Sequence, residues 1–71
     1  MTELLVVFVI NHNVQLMDIA GPADVFAEAN TLRGEPVYRC VIAAPQKSIR
    51  SSCGFVVQAD YCLKDLHTLA I

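Results

Sequence analysis

Hydrophobic residues open the chain as a continuous run, which polar residues then end abruptly. Residues 4–10 are all apolar, and residues 11–13 are all polar. A short apolar run rich in β-branched residues is typical of a strand buried on both faces of a parallel sheet. The sequence therefore predicts a first strand over residues 4–10, followed by a loop.

The spacing of apolar residues then changes to that of a helix with one buried face. Asn30 is the next position in this series, which consists of Leu16, Ile19, Ala20, Ala23, Phe26 and Ala27. Pro22 leaves two alternatives, because proline is tolerated in a first turn and costly deeper in a helix. The helix starts either near Ile19, or near Gln15 with a bend at Pro22. The series keeps its phase through the proline, which favours the longer helix, and Gly34 is its predicted stop.

Residues 37–44 are predicted to form a second strand, which Pro45 ends. A strand, a helix and a second strand over about 40 residues make one βαβ unit, whose strands run parallel. Both faces of the first strand need cover, but the chain offers one good helix. We therefore expect one apolar face of the sheet to stay exposed.

The remaining residues predict smaller elements. Residues 49–50 and 55–58 flank a turn-like Ser-Ser-Cys-Gly tetrad and are predicted to form a hairpin. Residues 60–66 fit a short helical turn. Residues 67–71 are again largely apolar and resemble the start of another buried strand.

Composition limits the function classes. Of 71 residues, 55% are hydrophobic and only 17% are charged, which suits a segment of a larger core better than a complete small domain. The net charge of −2 excludes the basic surface that nucleic acid binding needs, so we expect no direct nucleic-acid binding. No run approaches the roughly 20 residues of a membrane span, and Glu3 replaces the basic residues of a signal peptide. Three cysteines without a C-x-x-C pair indicate free thiols and a cytoplasmic location.

Four segments together resemble a known family. Residues 16–26 resemble the hydrophobic-Asp-hydrophobic-x-Gly-Pro-x-Asp-Val-Phe block near the start of PfpI/ThiJ-like domains, which belong to the class I glutamine amidotransferase-like superfamily. Three further features indicate one group within this family. They are residues 29–30, Tyr38 and the Arg-Ser-Ser-x-Gly pattern of residues 49–54. Together they look most like the sensor domain of GlxA-type AraC-family transcriptional regulators. The resemblance covers nearly all 71 residues and well under half of the family's full length.

The resemblance implies a partial flavodoxin-like three-layer α/β sandwich, a βαβ unit plus a β-hairpin, truncated before the fold is complete. It implies that residues 1–71 are the N-terminal fragment of a PfpI-like domain without the DNA-binding domain. The end departs from the pattern, since His67 stands where the family has an acidic residue. The nucleophile elbow is expected beyond Ile71, so the chain alone is expected to catalyse nothing.

Asp18 is the candidate site residue. In the family's enzymes, the resemblance places an acid at this position beside a cysteine nucleophile, where a carboxyl can relay a proton. The structural alternative is that Asp18 caps or bends the start of the helix. Gly21 and Pro22 are candidates for lining the same ligand pocket. The alternative is that they only determine the geometry of the helix. Arg50 and its neighbouring serines suggest an anion site or, more simply, a hairpin turn.

The cysteines are expected to be structural, apart from one. Cys40 lies in an apolar strand and is predicted to pack in the core, and Cys62 is also expected to be structural. Cys53 lies in a turn and is reactive if exposed, although no His or Lys lies near it in sequence to lower its pKa. His12, His67 and the cysteines lack zinc-ligand spacing, so neither a metal nor another cofactor is expected.

Three functions follow as hypotheses. The first is a fragment of a transcriptional regulator's ligand-sensing or dimerisation domain, with a small-molecule effector in the intact parent. The second is the N-terminal part of a hydrolase or isonitrile hydratase-type enzyme with Asp18 in the site. The third is a stand-alone interaction peptide. Bare sheet edges also lead us to expect self-association.

Overall fold

The computed structural model describes residues 3–65, which form a mixed α/β fold with one helix and two sheets. One sheet is parallel, with three strands in the order β1-β2-β5, and the other is an antiparallel pair of β3 and β4. The elements in chain order are β1 (Leu4–Val9), α1 (Leu16–Arg33), β2 (Tyr38–Ala44), β3 (Ser48–Arg50), β4 (Val56–Gln58), β5 (Tyr61–Cys62) and a 3₁₀ turn (Leu63–Asp65).

The predicted βαβ unit is confirmed. Strands β1 and β2 run parallel, with Leu4 opposite Tyr38 and Val9 opposite Ala43, and α1 connects them. The first strand ends one residue earlier than predicted. The ladder nevertheless reaches Ile10, whose backbone N–H donates to the carbonyl of Ala43 at 2.9 Å.

The longer of the two alternative helices is the one that forms. Helix α1 has Gln15 as its N-cap and contains Pro22 in its interior. Gly34 ends it in the left-handed conformation at φ 72°, as predicted. The N–H of Gly34 donates to the carbonyls of Asn30 and Thr31, so the turn satisfies helix-terminal acceptors.

The helix packs through an aromatic contact. The Phe26 ring lies edge-on between Phe8 of β1 and Tyr38 of β2, with ring centroids 6.5 and 4.9 Å away. Ile19 is buried on the same helix, whereas Ala20 and Ala27 are exposed, against their place in the predicted apolar series. The sheet beneath α1 is narrow, so it covers the stripe through Ile19 and Phe26 and not its flanks.

The predicted hairpin is confirmed, with Ile49 opposite Val57. The helical turn predicted for residues 60–66 is wrong in its first half, where β5 pairs with Ala43 and Ala44. A hydrogen bond from the Asp60 N–H to the Ile42 carbonyl draws this segment alongside β2 and extends it. Leu66 and the strand expected at residues 67–71 lie outside the described residues.

The hydrophobic core is small and lies where the parallel sheet meets the hairpin. Its buried residues are Ile10, Ile19, Ala44, Ile49 and Ala59. Along β1, by contrast, Leu4, Leu5 and Val9 are 58%, 41% and 60% exposed. The predicted burial of β1 on both faces is therefore not seen. The expectation that a single apolar face stays uncovered is not confirmed either, because Leu4 and Leu5 lie on opposite faces of the strand and Val41 and Ala43 of β2 are buried. No helix in residues 3–65 is long and apolar enough to cross a membrane.

Candidate functional site

An open cleft of about 470 Å³ lies at the carboxyl end of β1. The second half of β1, the loop of residues 11–14 and the first turn of α1 form its walls. This position follows from the βαβ connection, because the strand delivers the loop and the helix start to the same sheet edge. Ligands of open α/β sheets characteristically bind at that edge.

Asp18 lines this cleft from the first turn of α1. Its backbone N–H donates to the Gln15 carbonyl at 2.9 Å. Within residues 3–65, its exposed carboxylate has no hydrogen-bond or ion-pair partner, so it caps no backbone N–H there. Pro22 has no N–H to offer the Asp18 carbonyl, which leaves a second acceptor close to the cleft.

Gly21 and Pro22 lie one turn further along α1, and both are exposed. Neither is among the residues that line the cleft. Their role in a ligand pocket therefore stays a prediction, while Pro22 clearly serves as a residue of the helix.

His12 is the cleft residue that sequence reasoning missed. The backbone N–H of Arg50 donates to its Nδ1, and its Nε2 lies 3.3 Å from Gln46 Oε1. Because Nδ1 accepts, Nε2 carries the proton and donates to the Gln46 amide. His12 also borders a second groove of about 160 Å³ beside the hairpin. The polar Asn-His-Asn triplet directly after the apolar run of residues 4–10 is the sequence signal that could have indicated it.

Backbone hydrogen bonds fasten the cleft loop to the hairpin. Asn13 adopts the left-handed conformation at φ 69° and donates its N–H to the Arg50 carbonyl at 2.9 Å. The N–H of Ser52 donates to the Val14 carbonyl at 2.9 Å. The loop that forms one wall of the cleft is thus held in place by a segment nearly 40 residues later in sequence.

The hairpin turn is built around Arg50 and Ser51. The Arg50 guanidinium donates to the Gly54 carbonyl at 2.7 Å, which favours the turn interpretation of this residue. Ser51 is only 3% exposed, and its hydroxyl lies 3.3 Å from the Cys53 sulfur. The Ser51 hydroxyl, assisted by a backbone hydrogen bond at Phe55, lowers the pKa of the exposed Cys53 thiol. No His or Lys is involved, as the sequence predicts, and a neighbouring hydroxyl lowers the pKa instead.

The placement of Cys40 also differs from the prediction. Its side chain is exposed rather than packed in the core, because too little of the chain lies above this part of β2 to cover it. Cys62 is half-buried in β5. Residues 3–65 contain no cluster of three or more His, Cys, Asp or Glu side chains that could hold a metal ion.

One curated relative is an "Uncharacterized protein in cpoL 5'region" from Streptomyces lividans. The two chains are 39% identical over 56 residues, which is 78% of this chain and 38% of that protein. The chain thus spans less than two fifths of the length of the relative it matches. No family model matches the chain. No solved structure matches it either.

Proposed function

We propose that the chain is the N-terminal part of a PfpI-like, flavodoxin-like α/β domain, with the full three-layer sandwich completed by further sequence. In this proposal the domain senses a small molecule or dimerises within a cytoplasmic, GlxA-like AraC-family transcriptional regulator. The chain itself catalyses nothing and binds no DNA.

The observation that carries this proposal is the cleft at the carboxyl end of β1. Asp18, the residue that the family resemblance singles out, lines it with a carboxylate that has no partner among residues 3–65. Asn11 and His12 add amide and imidazole groups to the same wall. Among the described residues, these lining groups hydrogen-bond a ligand well but include no thiol or hydroxyl nucleophile.

A second observation supports the family assignment. Two of the features that narrow the resemblance, Asn30 and Tyr38, are bonded to each other: the Asn30 amide accepts from the Tyr38 N–H and donates to its carbonyl. They act as one structural unit that fixes the end of α1 to the start of β2. A joint role of this kind explains why both residues would mark the same fold.

The free Asp18 carboxylate also favours one alternative function, an isonitrile hydratase-type enzyme. The deciding experiment is to sequence the coding region beyond the Ile71 codon. A degenerate elbow followed by two helix-turn-helix units supports the regulator. A cysteine in a strand-to-helix elbow followed by a stop codon supports the enzyme.

A biochemical test separates the same two functions for this chain. Purified chain incubated with tert-butyl isonitrile should form no amide, because a carboxylate alone supplies only acid–base help. Turnover that is lost on Asp18→Asn and kept on Asp24→Asn would refute the proposal. Asp24 is the matched control, since it is an exposed acid of α1 that does not line the cleft.

A further inference from the structure

The backbone of Arg50 faces the cleft loop, residues 11–14, rather than the opposite strand of the hairpin. In an antiparallel pair, residues that bond the partner strand alternate with residues whose N–H and C=O groups point away from it. The N–H of Ser51 donates to the Phe55 carbonyl at 2.8 Å, so Arg50, one residue earlier, belongs to the second kind. Its N–H and C=O groups are therefore directed at the loop.

The loop bonds both of these groups, but with two different kinds of partner. The Arg50 carbonyl accepts the backbone N–H of Asn13 at 2.9 Å, as it would from an added strand. The Arg50 N–H, which a backbone carbonyl would ordinarily accept, donates instead to Nδ1 of the His12 ring at 3.3 Å. Nε2 of the same ring donates to Gln46 Oε1, 3.3 Å away. An imidazole thus takes the place of a peptide carbonyl between the loop and the hairpin.

The His12 ring differs from a carbonyl because it can be protonated. A carbonyl accepts a hydrogen bond at any pH, whereas an imidazole nitrogen accepts one only while the ring is neutral. Histidine is the side chain that ordinarily changes its charge between about pH 5 and 8. In protonated His12, Nδ1 carries its own hydrogen atom and faces the Arg50 N–H as a second donor. The bond between the ring and β3 therefore exists only with the neutral ring.

Two charged side chains share a cavity with this ring. The Arg50 guanidinium borders the second groove together with His12 and disfavours a second positive charge there. Asp18 lines the cleft with His12 and favours that charge, but the two form no ion pair in the described structure, and solvent screens their attraction because both are exposed. Gln46 is neutral, and β1 lines the cleft with apolar residues. Neither charged side chain accepts the Arg50 N–H, so the bond lost at Nδ1 is not replaced.

We propose that His12 is a pH-sensitive positioning residue of the cleft: the neutral ring holds residues 11–12 against β3, and protonation releases them. The bond between Asn13 and the Arg50 carbonyl remains, so the loop shifts without detaching. Because this loop forms one wall of the cleft, a ligand binds there more weakly below about pH 6 than above about pH 7. The effect on a ligand rests on the proposed function, whereas the release of the loop does not depend on it.

Amide hydrogen exchange followed by NMR tests this contact in the full 71-residue chain, without a ligand. The protection factor of the Arg50 amide, which is corrected for the intrinsic pH dependence of exchange, should fall at least about tenfold from about pH 7.5 to about pH 5. Imidazole nitrogen shifts should show the His12 proton on Nε2 at the higher pH and protons on both nitrogens at the lower. The amide of buried Ala59, which donates to the Lys47 carbonyl at 2.7 Å, reports global unfolding and should stay protected.

Substitutions separate the titration of the ring from its structural role. In His12→Asn, the side-chain oxygen can take the place of Nδ1 and accept the Arg50 N–H at every pH, so protection should persist at about pH 5. His12→Ala should lower protection at both pH values. His67→Asn is the matched control, because it removes the other of the two histidines and should keep the wild-type pH dependence. Asp18→Asn should keep it as well, since its carboxylate is not the group that loses the bond.

Three outcomes would overturn the proposal. Equal protection of the Arg50 amide at both pH values would show that protonation does not weaken the contact. A pH dependence that persists in His12→Asn, or disappears in His67→Asn, would assign the proton to another group. A parallel loss of protection at Ala59 would show that acid unfolds the whole chain. None of these results bears on whether the cleft takes a ligand, which the isonitrile and sequencing experiments test separately.

Discussion

Cys53 combines an exposed thiol with a buried hydroxyl neighbour. Because the Ser51 hydrogen bond is the main cause of its lowered pKa, more of this thiol is ionised near neutral pH than in an unassisted cysteine. Ser51→Ala should raise the Cys53 pKa and slow its alkylation by iodoacetamide at pH 7, with little effect above about pH 10, where the thiolate predominates in both forms. Peptide mass spectrometry after timed alkylation gives the rate at each cysteine.

Two comparisons make this measurement specific. Ser48→Ala removes a hydroxyl from the same hairpin without touching the thiol, so it should leave the rate unchanged. Exposed Cys40 should react faster than half-buried Cys62. Superimposable pH–rate curves for wild type and Ser51→Ala would rule out the hydroxyl as the cause of the lowered pKa.

Asn30 joins helix and sheet through two hydrogen bonds to the backbone of Tyr38. Asn30→Ala leaves the half-buried N–H and carbonyl of Tyr38 without these partners and should lower the free energy of unfolding by about 1–3 kcal/mol. Thr31→Ala is the control, since it loses only an exposed bond to the Ala27 carbonyl. Urea titrations at matched protein concentration compare the two. Equal losses would show that the Asn30 bridge contributes nothing of its own.

Residue-level roles were the least predictable from sequence. Asn30 and Tyr38 were noted as two separate features of the family resemblance. The spacing of apolar residues does not reveal a hydrogen bond between a side chain and a backbone eight residues away. Cys40 was placed in the core because its neighbours are apolar, although coverage of a strand depends on which elements lie above it. Asp18 was found by its resemblance to a motif, whereas His12 depends on a contact with Arg50 that only the folded chain creates.

The helices and strands were more predictable, because the spacing of hydrophobic residues within a short segment indicates which of the two forms. The apolar residues keep their helical spacing across Pro22, so the sequence correctly predicted the longer helix. Gly34 was correctly predicted to end it. The two-residue strand β5 escaped prediction because it has no pattern of its own. Hydrogen bonds between Asp60 and Ile42 determine it, and these join segments 18 residues apart.

The two glycines of the helix region should respond to alanine with opposite sign. Gly34 has φ 72°, which costs a side chain about 1 kcal/mol, so Gly34→Ala should destabilise the fold. Gly21 is exposed within α1, and a new Cβ there meets no atom within 4 Å. Gly21→Ala should therefore stabilise by about 0.5–1 kcal/mol. Urea midpoints at equal concentration measure both changes, and shifts of the same sign would contradict the assigned backbone conformations.

At the scale of the whole molecule, the elements of residues 3–65 form a sheet layer and a helix layer. Its Cα atoms span 34 × 29 × 12 Å, and the short dimension accommodates a sheet with a helix on one face only. Among the residues that the structure describes, seven hydrophobic side chains are buried, and three of the seven are alanine. A core of this size rarely supplies more than about 3–5 kcal/mol. Association is therefore expected to contribute a large share of the stability.

Stability that depends on association must depend on concentration. We expect the circular-dichroism melting temperature to rise by roughly 10–20 °C over a hundredfold increase in protein concentration, because mass action adds about 2.7 kcal/mol over that range. Val9→Glu should flatten this dependence, since it replaces an exposed apolar side chain of β1 with a charged one. Val25→Lys changes a side chain of α1 that is 68% exposed, against 60% for Val9, and should keep it. A sharp, reversible, concentration-independent transition of a monomer would instead show that this small core suffices by itself, and the uncovered face of β1 would then need no partner.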